Sequence, residues 1–365
     1  MKALIIHNPV AGQRAFGEEI RQVAAFLEGQ GWQIIGVEQT LGPGDATTHA
    51  RRAVIEGCDA VFVAGGDGTI AQVVDGLVST ETALAVLPSG SGNVLARQLN
   101  LPVPGSFQPP ALVEAARLTL EGPIRRVDVG RVRFTAGDPL RSTDAVPVRN
   151  AGALPAPRHF LCWSGVGFDA ALNQTINQDP ERKRRLGTAG FFVAGFLMLR
   201  DFAGTSAIVR VDGHRVSRRM LMLVVSNIQL YGIFFTVAPN AALDDGLLDI
   251  LCFQGLHPAR VLLHFIRLVL KKHLDDPEVD LYRARRVEIR THRPLPVHVD
   301  GDCIGNTPVT FEVVPRALRL MVPRCAPPNL FVDGTGMAQP ETTWEWMVRR
   351  ARDAHWAIRR RSKLS

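Results

Sequence analysis

The chain has 365 residues, 46% apolar and 21% charged, with a formal net charge of +7. That length usually means two domains, and the composition is ordinary globular rather than disordered, so each domain can bury a core. The positive charge points to anionic partners. Cys58, Cys162, Cys252, Cys303 and Cys325 show no C-x-x-C spacing, and Lys2 leads directly into a strand-length apolar run with no secretory leader before it, so a cytoplasmic setting is expected.

Residues 1 to about 123 alternate strand and helix patterns. Ala3–Ile6 is a short apolar strand ending in the loop His7-Asn8-Pro9-Val10-Ala11-Gly12. A helix with Ile20, Val23, Ala24 and Leu27 on one face follows, then a strand around Trp32–Val37 and a helix from the expected N-cap Asp45 through Ala53 and Val54. Val61–Ala64 is a buried strand that runs into Gly65-Gly66-Asp67-Gly68-Thr69, with a helix opening near Thr69 and Ile70. Gly65, Gly66 and Gly68 can take positive φ and carry no Cβ, so backbone N–H groups there can approach a phosphate beside the positive end of the helix dipole. A plain strand-to-helix turn would read the same way. Leu84–Pro88, Ser89-Gly90-Ser91-Gly92-Asn93 and the helical Val94–Leu99 repeat the pattern, so three polar loops converge at the carboxyl edge of one parallel sheet.

From Ile124 the texture becomes mostly β, with strands at Arg125–Val132, His159–Trp163, Ala207–Val211, Leu221–Val225, Leu247–Phe253, Val287–Arg290 and Val297–Val299. Residues 135–158, rich in Pro, Gly and Ala, read as an insertion between two strands. Met220–Leu243 is the longest uncharged run, but Ser226, Asn227, Gln229, Gly232, Pro239 and Asn240 interrupt it, so it reads as two buried strands and a loop rather than a membrane span. Leu186–Leu199 is apolar nearly all round and preceded by Arg182-Lys183-Arg184-Arg185; it is either a core helix or a wall of a lipid pocket. Asp244-Asp245-Gly246 offers hard oxygens to a divalent cation, or is a plain hairpin turn. In the tail, Trp344, Met347, Val348, Ala351, His355 and Ile358 fall at helical spacing among seven cations that face only Glu345 and Asp353. That pattern fits an interfacial amphipathic helix or a docked one.

Five stretches resemble, in order, the motifs of the diacylglycerol-kinase catalytic domain family, which includes sphingosine and ceramide kinases and bacterial lipid kinases. They are Asn8-Pro9 with Ala11-Gly12, Gly65–Thr69, Pro88 with Gly90–Asn93, Pro239 with Leu243–Asp249, and Val299–Asp302, together spanning roughly residues 1–325. The resemblance implies an α/β plus all-β fold: a three-layer α/β/α nucleotide domain over 1–123, rejoined by the chain at about 314–325, an antiparallel β-sandwich within 124–325, and a basic tail over 326–365. It implies ATP-dependent phosphorylation of a primary hydroxyl on a lipid such as a diacylglycerol or sphingoid base, in phospholipid metabolism. Matched to the family pattern, Asn8, Thr40, Gly65, Gly66, Asp67, Gly68, Thr69, Ile70, Ala71 and Ser91 would bind ATP. Asp245, with the carbonyl oxygens of Ala242 and Leu247, would hold a structural Mg2+. Asp300 or Asp302 would take the hydroxyl proton, Asp302 standing where the family usually has Glu. After Tyr231 the family often has a glycine cluster, where this chain has Gly232-Ile233-Phe234-Phe235. The expected partners are a lipid and an anionic membrane met peripherally, with no nucleic acid and a homodimer left open.

Two rival readings remain. A soluble NAD kinase also uses Gly-Gly-Asp-Gly in a related fold, but lacks the Leu-Asp-Asp-Gly-Leu and Asp-Gly-Asp pair, and no Asn-Glu motif for the dinucleotide stands where one is expected. A catalytically weak lipid-binding regulator is suggested by Asp302.

Overall fold

The computed structural model describes residues 1–11, 17–104, 111–135, 156–177, 204–233, 235–255 and 259–332. The expected insertion falls largely outside the described residues, and the apolar segment 186–199 with its basic approach and the tail helix fall wholly outside them.

The N-terminal unit is built from β1 (Lys2–His7), α1 (Gly17–Gly29), β2 (Gln33–Gln39), α2 (Asp45–Ile55), β3 (Ala60–Gly65), α3 (Asp67–Leu77), β4 (Ala83–Pro88), α4 (Val94–Gln98) and α5 (Leu112–Leu120). The strands pair in parallel in the order β2-β1-β3-β4. β3 and β4 are buried along their whole length, which is why they read as unbroken apolar runs: helices cover both faces of such a sheet. α1 buries Ile20, Val23 and Leu27 on the face expected from their spacing. At Gly76 a Cβ would come within 2.6 Å of the Ala50 Cβ, so glycine lets α3 cross α2 closely. The expected capping role of Asp45 is corrected. Gly44, in the left-handed region at φ 90°, precedes the helix, while the Asp45 carboxylate turns back to accept the N–H groups of Leu41 and Gly42 at 2.8 Å each.

The second unit contains β5 (Ile124–Phe134), β6 (Arg158–Phe160), β7 (Trp163–Gly167), α6 (Phe168–Asn177), β8 (Thr205–Val211), β9 (His214–Ser226), β10 (Leu230–Tyr231) and β11 (Phe235–Thr236). It continues through β12 (Leu248–Gln254), α7 (Ala259–Val269), β13 (Val279–Ala284), β14 (Arg286–Thr291), β15 (Pro296–Val299), β16 (Asp302–Asn306) and β17 (Val309–Met321). Pairing is antiparallel along β16-β15-β7-β9-β8-β14-β17, with β12 and β13 branching from β9, and β5 and β6 from β17. Its core joins Phe160 and Phe311, edge to face at 6.4 Å, with Val209, Leu223, Ile250, Ile289 and Val297. The uncharged run 220–243 resolves into β9, the β10–β11 hairpin and a loop, and no helix among the described residues is long and apolar enough to cross a membrane. β17 belongs to both units. After an irregularity between Val314 and Leu318, where Arg316 takes φ 51°, Arg319 and Leu320 lie parallel beside Ala83 and Leu84 of β4.

Candidate active site

The parallel register sets His7 beside Ala64 and Gly65 beside Pro88, so the loops after β1, β3 and β4 leave the sheet at one edge. Asn8 ties the first two together: its Nδ2 donates to Thr69 Oγ1 at 3.1 Å, its backbone N–H donates to Ala64 O at 2.9 Å, and its Oδ1 accepts the Val10 N–H at 3.1 Å. Thr40 is buried next to them, its N–H on His7 O at 2.9 Å.

Gly65 and Gly90 act by clearance, and the expectation of positive φ at Gly65, Gly66 and Gly68 is corrected; none of the three has it. A Cβ at Gly90 would sit 2.5 Å from Gly66 Cα, and one at Gly65 would sit 2.6 Å from Thr69 Cβ, so the two loops pass at backbone contact. The second loop is closed by Asn93, itself at φ 50°, whose side chain accepts the Gly90 N–H at 2.9 Å and donates to Gly90 O at 2.6 Å. Asp67 bridges the loops. Its carboxylate accepts the N–H groups of Val94 at 2.8 Å and Leu95 at 3.3 Å, occupying the N-terminus of α4, and burial raises its pKa against those hydrogen bonds. α3 starts at Asp67, two residues ahead of the expected opening, because Gly66 O already accepts from Thr69 and Ile70 at 3.0 and 3.1 Å. Ile70 and Ala71 point into the core, so only their backbone can meet a ligand, whereas Ser91 is exposed.

Asp300 and Gly301 form the two-residue turn of the β15–β16 hairpin, with φ of 45° and 93°, the left-handed pair that a type I′ turn requires. The Asp300 carboxylate is turned inward, accepting from Trp163 N–H at 2.9 Å and Leu161 N–H at 3.4 Å, while its own N–H donates to Trp163 O at 2.9 Å. Burial pushes its carboxyl up to about 8, the backbone N–H groups oppose that shift, and the Asp67 carboxylate adds to it. Asp302 points the other way. It is half-buried, and a Cβ on Gly68 would lie 3.7 Å from its Oδ2, so the hairpin turn of the β-rich unit faces the nucleotide-type loop of the α/β unit.

Three residues beneath this turn carried no motif. His298 Nδ1 accepts the Gly301 N–H at 3.2 Å, which assigns the proton to Nε2 and makes that atom the donor to Asp169 Oδ2 at 3.0 Å. The Tyr231 hydroxyl donates to the same oxygen at 2.9 Å. Positions 169, 231 and 298 are too far apart in sequence for any spacing rule; a histidine inside the apolar strand Pro296–Val299 was the one available signal.

Asp245, Ala242 and Leu247 share one turn, but the residues present do not fit a resident Mg2+. The Asp245 carboxylate is fully buried, with Oδ1 accepting the Leu247 N–H at 2.9 Å and Oδ2 paired with the Arg283 guanidinium. The Arg283 guanidinium thus stands on the one carboxylate of the expected ligand set. Arg283 Nε is also 3.6 Å from Asp249 Oδ1. Burial raises the pKa of Asp245 to about 6 and of Asp249 to about 7, with Arg283 opposing both shifts. Asp128 secures the turn from behind, accepting the N–H of Gly246 at 2.5 Å and of Arg316 at 2.7 Å.

Four substitutions test this geometry. Gly90→Val should lower the melting temperature, at a cost of about 1–3 kcal/mol for the steric overlap with Gly66, and should weaken ATP binding by calorimetry. Gly66→Val, whose Cβ meets only the Gly90 Cα at 3.5 Å, should melt close to wild type while ATP binding is lost. The Asp300 carboxyl, raised to about 8 from 3.8, binds its proton more tightly folded than unfolded. Its contribution is present below about pH 4 and lost as pH rises through about 8. The melting temperature of Asp300→Asn relative to wild type should therefore climb between about pH 4 and 8, and parallel melting curves would refute this. Arg283→Met should leave Asp245 uncompensated and cost about 3–5 kcal/mol, while a chelator leaves wild-type melting unchanged. A Mg2+-dependent rise in wild-type melting temperature would return this turn to a metal.

Residues 2–132 match the sequence profile described as the diacylglycerol kinase catalytic domain, and residues 164–322 match that described as the YegS C-terminal NAD kinase beta sandwich-like domain. A diacylglycerol kinase of Bacillus subtilis (strain 168) is 25% identical over 325 residues, 88% of this chain and 97% of that protein. One of Staphylococcus aureus (strain JH9) is 26% identical over 326 residues, 88% of this chain and 92% of that protein. The crystal structure of a diacylglycerol kinase from Bacillus anthracis str. Sterne superposes with a TM-score of 0.63 over 89% of this chain and 98% of that one, at 20% identity, which shows a shared fold. The first unit is thus similar to the diacylglycerol kinase catalytic domain and the second to the YegS C-terminal domain, and the relatives matched along most of the chain are diacylglycerol kinases.

Proposed function

We propose that the protein is an ATP-dependent lipid kinase that phosphorylates a primary hydroxyl of a diacylglycerol or a related lipid, working in the cytoplasm at a membrane surface for phospholipid synthesis. The observation that carries this reading is the approach of Asp302 to Gly68, because it brings a carboxylate up to the glycine loop from the opposite side of the cleft. ATP would lie along the edge formed by Asn8, Thr40, Gly65–Ala71 and Ser91. Its phosphates would meet backbone N–H groups and the first turn of α3, whose dipole favours anions. Mg2+ would arrive with ATP and offset charge on the phosphoryl oxygens.

In the transfer step the lipid oxygen forms a bond to the γ-phosphorus as the bond from that phosphorus to the bridging oxygen of ADP breaks. The hydroxyl proton passes to a carboxylate. Asp302 suits that role because it is half-buried and faces the loop, while Asp300, locked onto the backbone at 161–163, fixes the turn from which Asp302 projects. His298, held by Asp169, positions the same turn through the Gly301 N–H. The names of the relatives favour diacylglycerol as the acceptor.

Transfer of labelled phosphate from ATP into the organic phase of a lipid extract tests the reading, and mass spectrometry of the product identifies the lipid. Asp302→Asn should lower turnover by roughly 10²-fold or more with ATP binding intact, and Asp302→Glu should retain most of it. Near-wild-type turnover in Asp302→Asn would remove this carboxylate from the mechanism, and labelled NAD in place of labelled lipid would replace the function.

A further inference from the structure

α7 has two apolar faces and only one of them is covered. On the inner face Leu268 is buried, Phe265 stacks edge to face on Phe235 at 5.5 Å, and His264 contacts Gln254 O at 2.9 Å and Asp276 Oδ2 at 3.2 Å. These contacts fix which way the helix faces. The outer face carries Leu262, Ile266, Val269 and Leu270, exposed by 44, 45, 52 and 60%, at the i, i+4, i+7 and i+8 spacing of one continuous stripe. Leu274, just beyond the helix, extends it. A contiguous apolar patch of this kind on a fixed helix marks an interaction surface.

Charge decides what covers it. Arg260, Arg267, Lys271 and Lys272 accompany the stripe, against Asp275 on the same segment; Arg260 and Arg267 pair with Glu278 and Asp276, and both lysines are exposed. A second copy docked on this face would set cations against cations. The apolar segments of this chain outside the described residues are themselves cationic, with Arg182–Arg185 before one and seven Arg or Lys within the other. An anionic bilayer meets both features at once, because acyl chains accept the leucines and isoleucine while headgroups accept the lysines.

We propose that α7 is the element by which this protein docks on anionic membranes, its outer stripe entering the boundary between headgroups and acyl chains. The helix is coupled to the candidate site. Phe235 beneath it pairs with Tyr231 across the β10–β11 hairpin, and Tyr231 reaches Asp169 and through it the His298 that holds the catalytic turn. The inference rests on the lipid-kinase reading for its purpose, but not for its test.

The test is sedimentation of the full chain with phosphatidylglycerol-containing vesicles and with pure phosphatidylcholine vesicles, without ATP. Wild type should bind the anionic vesicles more tightly, and less so as salt rises. Ile266→Glu combined with Leu270→Glu should weaken that binding at least about tenfold, and Lys271→Gln combined with Lys272→Gln roughly 30-fold at low salt. Both variants should melt as wild type and retain wild-type turnover on detergent-dispersed diacylglycerol; absence of turnover by the wild type there would count against the kinase reading and leave the docking surface standing, whereas loss in the variants alone would overturn the docking role. Unchanged vesicle binding by either variant overturns the proposal. So does a wild-type dimer in solution that the Ile266→Glu and Leu270→Glu changes dissociate, which would assign the face to a second copy.

Discussion

One strand is shared by both units, and the site depends on it. β17 is hydrogen-bonded to β5 along its length, to β14 over its first part, and lies beside β4 at Arg319 and Leu320, so the antiparallel and parallel sheets form one continuous sheet. Ladder hydrogen bonds fix the register as well as the direction of their strands. The turn after β15 and the loop after β3 are therefore held at a set separation by backbone pairing, and Asp302 meets Gly68 without needing a flexible linker to close. Side chains reinforce the junction: Asp75 of α3 accepts from Arg158 and from the His159 N–H, and Gln98 of α4 accepts the Leu230 N–H at 2.8 Å.

The acids at this junction are held by backbone more than by cations. Asp67, Asp128 and Asp300 each accept two or more N–H groups, and in all three burial still raises the pKa. Such carboxylates brace loops at a cost in desolvation, which hydrogen bonds to the charged form offset in part. The arrangement suits a phosphate-handling edge, because the N–H groups and the α3 dipole left for a ligand are fixed in place before it arrives. Asp245 is the contrast. There a guanidinium supplies the countercharge, and a turn whose sequence reads as a metal ligand becomes an ion pair.

Much of this was legible in local sequence. Strand-to-helix glycine loops announce themselves because buried parallel strands and the glycines after them each leave a short signature, and the apolar strand that leads into Asp300 does the same. The edge position of the three loops followed from the βα alternation. Where local reading failed, tertiary contact was the cause. Gly65 is needed for clearance of Thr69 and Gly90 for clearance of Gly66 in the neighbouring loop, not for positive φ, and Asp45 bonds back to the preceding turn instead of capping its helix.

The sequence by itself determined the two-part α/β and β-rich architecture, the family resemblance and the residues gathered around Gly65–Thr69 and Asp300–Asp302, because each is encoded within a few consecutive positions. Only the tertiary structure decided which carboxylate of the turn faces the loop, that Arg283 occupies the Asp245 turn, that Tyr231, Asp169 and His298 stand in line beneath Gly301, and that α7 leaves an apolar stripe uncovered. Those pairings join residues from about 40 to 230 positions apart or depend on which helix face is already packed, and side-chain chemistry at such separations leaves no periodic trace in the chain.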